Sequence, residues 1–105
     1  MFYIHYFVMY MKANRNILNV FPKYLFWDMD RSKLSLKRDK EIIIPRALYA
    51  TTKETFSKDI LVLERYYSKS DILNILKHTK ENISNEVCVL VSKRYNTAPF
   101  YRYAV

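Results

Sequence analysis

Between Phe56 and Tyr67 the apolar side chains Phe56, Ile60, Leu63 and Tyr67 recur at intervals of four, three and four, which places them on one face of a helix. The preceding TTKE offers a threonine cap. Ser68 or Ser70 then opens a second helix through DILNILKHT, where Ile72, Ile75 and Leu76 share a face and Lys69, Asn74, Lys77 and Lys80 lie elsewhere. Ser84 caps a third, NEVCVLVSKRYN, with Val87, Leu90, Val91 and Tyr95 at helical spacing. VCVLV would also suit a strand; helix is the reading adopted, because Ser84 caps well and a lone strand would lack a partner.

Upstream, KRDKEIIIPRALYA carries apolar residues at 42, 43, 44, 47 and 48, and the spacing predicts a helix from about Arg38 to Tyr49 with a disturbance at Pro45. In FPKYLFWDMD, Pro22 restricts the backbone and aromatic residues crowd beside Asp28 and Asp30, so an irregular segment or one helical turn anchored in the core is expected, with Trp27 buried. Asp28 or Asp30 can cap the next turn, and DRSKLSLKRD reads as a polar connection with Leu34 and Leu36 tucked inward. The tail TAPFYRYAV, broken by Pro99, should be extended, with Phe100, Tyr101 and Tyr103 packing back. These elements predict a mainly α fold: a small bundle of about four short helices with an irregular aromatic N-terminal segment and an extended C-terminal tail. Residues 21–105 form its single helical domain, and 1–20 an N-terminal extension.

Composition narrows the chemistry. A chain of 105 residues, half of them apolar, supports one small core. It contains no Gly, which excludes phosphate-cradling loops and dinucleotide fingerprints that need glycine where the backbone approaches a ligand. Turns requiring positive φ must therefore fall on the seven Asn or on Asp. The single thiol, Cys88, sits in an apolar run and is expected to be buried and inert, which suits a reducing cytoplasm. His5 and His78 have no second ligand at metal spacing, so neither a metal nor another cofactor is expected. No carboxylate pair or nucleophile constellation suggests an enzyme or a small-molecule substrate.

The opening MFYIHYFVMYM is too short to span a bilayer, has no basic stretch before it and no small-residue cleavage site after it, so no membrane segment is expected. Two readings stay open: an edge strand or short helix packed on the domain, or a translated extension upstream of a start at Met11. The second is preferred, because KANRNILNVFPK from Lys12 resembles an ordinary bacterial N-terminus.

Taken together, LFWDMD (25–30), IIIPRAL (42–48), ERYYSKSDILNILK (64–77) and ISNEV (83–87) resemble a family of small uncharacterised bacterial domains with LFWD and Ile-Ile-x-Arg-x-Leu motifs. The likeness covers roughly residues 21–103; Pro45 departs from the pattern, as do Val89 and Leu90, where a larger aromatic is expected. Members are similar in being encoded beside nucleotidyltransferase-type toxins of the AbiEii kind. The resemblance thus implies a non-enzymatic antitoxin that binds a partner toxin, and it implies no catalytic residue. Phe26, Trp27, Asp28 and Arg46 match motif positions and are the candidate partner-binding residues, although Phe26 and Trp27 also suit a core and Arg46 can pair with Asp28 to lock the N-terminal segment to the helix.

Charge adds an alternative. With 18 Lys+Arg against 10 Asp+Glu the net charge is +8, enriched toward both ends. SDILNILK, a turn and ISNEVCVLVSKRY have the length of a helix-turn-helix, so a DNA-binding regulator contacting nucleic acid through Lys77, Lys80, Lys93, Arg94 and Arg102 is the second reading.

Overall fold

The computed structural model describes residues 21–103, and the expectations for the N-terminal extension lie outside them. The chain falls into two compact units, Met1–Lys40 and Glu41–Val105.

In the first unit, Pro22 precedes a short 3₁₀ helix, Lys23–Phe26, as its fixed φ favours. Phe21, Leu25 and Phe26 are buried, the two phenylalanine rings meeting edge to face at 6.4 Å. Asp30 opens a second 3₁₀ turn, Arg31–Lys33, by accepting from the Ser32 backbone N–H (3.0 Å) and hydroxyl (2.6 Å). These bonds hold its carboxyl below the usual carboxylate range. Leu34 and Leu36 are half-buried. Ser35 and Asp39 then brace the entry to the next helix: the Ser35 N–H donates to Asp39 Oδ2 (2.8 Å), and the Ser35 hydroxyl accepts from the Arg38 N–H (3.2 Å).

The four α-helices among the described residues are α1 (Lys40–Ala47), α2 (Phe56–Glu64), α3 (Lys69–His78) and α4 (Asn85–Arg94). No described residue is in a strand, as the periodicities predict. Apart from Lys40, all four belong to the second unit. Helix α1 buries Ile43, Ile44 and Pro45; Pro45 cannot donate to the Glu41 carbonyl, and the helix ends two residues later. Helix α2 buries Phe56, Ile60 and Leu63, three of the four residues its spacing selects, and Tyr67 is buried just beyond its end. Thr52 and Thr55 close the turn before it, each hydroxyl accepting the other's backbone N–H, at 3.3 and 2.9 Å, while Thr55 at the N-cap position makes no side-chain cap bond to the helix itself.

Ser68, rather than Ser70, caps α3 by accepting from the Asp71 N–H (3.1 Å), and Ser84 caps α4 through the Val87 N–H at the same distance. The VCVLV run is helical: Val87, Cys88, Val91 and Ser92 are buried while Val89 and Leu90 are half-exposed. Helices α3 and α4 pack on one another, and Ile83 anchors the connection between them in the core. Asn96, with φ 54°, is the one described residue at positive φ, and it closes α4. Its N–H bonds the Lys93 carbonyl (3.3 Å) and the Thr97 N–H bonds that of Ser92 (3.0 Å), a Schellman closure built on Asn in a chain without glycine.

Candidate partner and nucleic-acid interfaces

The LFWD segment splits between inside and outside. Phe26 is 1% exposed and belongs to the core, whereas Trp27 is 80% exposed, which corrects the expectation that its ring is buried. The cause is local. A four-residue 3₁₀ turn repeats every three residues, so Leu25 and Phe26 turn inward while Tyr24, 62% exposed, falls on the same side as Trp27. Asp28 is exposed beside them. Tyr24 is a surface aromatic that the hydrophobic pattern alone did not single out.

Arg46, in the second unit, is mostly enclosed. Its Nε donates to Glu81 Oε1 at 3.1 Å, a charge pair that joins α1 to the α3–α4 connection.

The five basic candidates divide between opposite ends of the antiparallel α3–α4 pair. At one end, Arg94 makes a two-pronged pair with Glu64, Nη2 to Oε1 at 2.7 Å and Nε to Oε2 at 2.9 Å, and the Tyr95 hydroxyl donates to the same carboxylate at 2.7 Å. Arg94 holds the Glu64 carboxyl below its ordinary range; burial, reinforced by Glu64, pushes the Tyr95 phenol up. Lys93 is exposed next to Arg94.

At the other end lie Lys77, Lys80 and Arg102. Lys77 stands 5.9 Å from the Phe100 ring centre, and Arg102 stacks on Tyr103 at 5.4 Å. Arg102 also donates from Nε to the Glu81 carbonyl and from Nη2 to the Lys80 carbonyl, both at 3.1 Å. The tail, expected to be extended with its rings packed back, is irregular and leaves Tyr101 and Tyr103 about half exposed, and it is clamped by Asn85, which sequence reasoning missed. Asn85 Oδ1 accepts from the N–H groups of Arg102 (2.8 Å) and Tyr103 (2.9 Å), and its Nδ2 donates to the Tyr103 carbonyl (3.2 Å). Cys88 beneath is fully buried, and burial pushes its thiol up, an effect the Arg102 backbone partly offsets.

A groove of about 500 Å³ runs beside this end, bordered by Glu41, Ile42, Ile75, His78, Lys80 and Glu81. No group of three or more His, Cys, Asp or Glu among the described residues is arranged to hold a metal ion. No helix among them is long and apolar enough to cross a membrane.

The molecule is thus a small helical domain protein with an exposed aromatic turn and a basic, aromatic tail. It belongs to a family of unknown function (DUF6922), whose model matches residues 21–76, from the LFWD segment into α3. No curated protein and no solved structure matches the chain.

Proposed function

We propose that the chain is a non-enzymatic, antitoxin-like protein that binds and neutralises a partner toxin, and that Trp27 and Tyr24 form the contact. The observation that carries this reading is the exposure of Trp27, 80% of whose surface is open. An indole is the side chain most often found at the energetic centre of protein interfaces, because it brings a large rigid area at low entropic cost. Burying it is worth roughly 4 kcal/mol before the costs of association. Among the described residues Tyr49, Tyr101 and Tyr103 are exposed as well, in keeping with a chain that keeps aromatic side chains at its surface.

The resemblance to domains encoded beside nucleotidyltransferase-type toxins supplies the candidate partner. Co-expression with a nucleotidyltransferase-type toxin encoded beside the chain tests the pairing: the wild-type chain should restore growth, and the Tyr24→Ala/Trp27→Ala double variant should not. Growth restored equally by both would show that this face does not bind the toxin.

The helix-turn-helix alternative draws less from the geometry. Six residues, 79–84, separate α3 from α4, where that motif uses a turn of about three or four. The first turn of α4 also presents Glu86 where a recognition helix would enter the major groove, between two rows of negatively charged phosphates.

A further inference from the structure

We propose that the clamped tail and the end of α3 form a binding ledge for single-stranded nucleic acid, built from residues other than those of the Trp27 turn. Three cations, Lys77, Lys80 and Arg102, gather here with the rings of Phe100 and Tyr103, and Tyr101 lies between those rings along the chain. Lys77 lies over Phe100, Arg102 covers one face of Tyr103, and the Arg102 guanidinium is bonded to the Lys80 carbonyl. Tyr101 and Tyr103 keep about half their surface open, 50% and 48%.

Two features make this more than a solvated charged face. The Tyr103 ring is held: Asn85 fixes the backbone at 102 and 103, and the Tyr103 hydroxyl donates to Asn82 Oδ1 at 2.9 Å, so little order must be created there on binding. The carboxylate of Glu81, which borders the ledge, is already engaged by Arg46. Glu41 borders only the adjoining groove. Glu86, exposed beside Asn85 in the first turn of α4, offsets one of the three cations; the balance stays positive beside the open faces of Tyr101 and Tyr103, which matches a strand whose phosphates meet the cations and whose unpaired bases stack on these two rings. A duplex offers the phosphates but not the base faces, which selects the single strand.

The test is fluorescence anisotropy at low salt with labelled oligo-dT and oligo-U of about 12 nucleotides and a mixed-sequence DNA duplex of equal length. Both single strands should bind more tightly than the duplex, and a preference between them assigns DNA or RNA as the ligand. Replacing both Lys77 and Lys80 by Ala should reduce the salt slope by about 0.7 for each phosphate that is no longer neutralised. Tyr101→Ala should weaken binding about fivefold or more, whereas Tyr101→Phe, which keeps the stacking plate, retains it. Lys93→Ala, at the opposite end of the helix pair, should leave affinity unchanged. Circular dichroism melting of each variant separates impaired binding from a disrupted fold. Absence of binding to either single strand, equal affinity for the duplex, or a folded Tyr101→Ala variant with undiminished affinity would each overturn the proposal.

Discussion

Glu64, the last residue of α2, accepts three hydrogen bonds from two consecutive residues at the end of α4, two from Arg94 and one from the Tyr95 hydroxyl. The carboxylate therefore closes α2 onto α4 across thirty residues of chain. Because the pair is two-pronged and partly shielded, Glu64→Gln should destabilise the fold by about 1–2 kcal/mol in chemical denaturation. The same pairing sets a pH dependence. A carboxyl held below its ordinary range in the folded state contributes stability that is complete above the unfolded value and disappears as pH falls through the folded one. Wild-type stability should thus decline below the usual carboxylate range more steeply than that of Glu64→Gln. Parallel acid titrations of the two proteins would contradict this.

Asn96 closes α4 at φ 54°, a conformation that glycine adopts freely and β-branched residues resist. Asn96→Val should cost about 1–2 kcal/mol, while Asn96→Gly should be neutral or stabilising, as read from thermal midpoints. A valine variant as stable as the wild type would show that the closure contributes nothing.

Phe26 and Trp27, adjacent in sequence, should respond in opposite ways. Phe26→Ala empties a core position and should cost about 3–5 kcal/mol. Trp27→Ala should change stability by less than about 0.5 kcal/mol, and the single tryptophan should emit as a solvated indole and be quenched readily by iodide. A blue-shifted, protected emission from the folded chain would return Trp27 to the core.

The helices were legible because their signals are local. The four-three-four spacing of α2 and the serines before α3 and α4 depend on residues a few positions apart, and Asn96 takes the positive-φ turn that a chain without glycine must assign to Asn or Asp. The face of Trp27 was not legible. In the run YLFW every residue is apolar or aromatic, so hydrophobicity carries no phase, and a 3₁₀ turn and an α-turn aim the fourth residue differently. The grouping of Lys77, Lys80 and Arg102 was equally hidden, since it depends on Asn85 meeting the tail 17 and 18 residues later.

That meeting of Asn85 and the tail has its own consequence. Asn85→Ala removes three hydrogen bonds worth about 1 kcal/mol each at most, so the tail should loosen while the helices persist. Amide exchange at Arg102 and Tyr103 should accelerate, with α2 protection retained. Unchanged exchange at 102 and 103 would show that the clamp is not what orders the tail.

The partner-binding role proposed for Trp27 can be tested in isolation, because the chain has a single tryptophan. With 5-fluorotryptophan incorporated into this chain only, its fluorine NMR resonance is followed as the proposed partner, an unlabelled nucleotidyltransferase-type toxin, is added. If the indole is the anchor of the interface, the resonance shifts and becomes inaccessible to solvent as the complex forms. A complex that forms while the resonance stays at its free position, still open to solvent, contradicts that role.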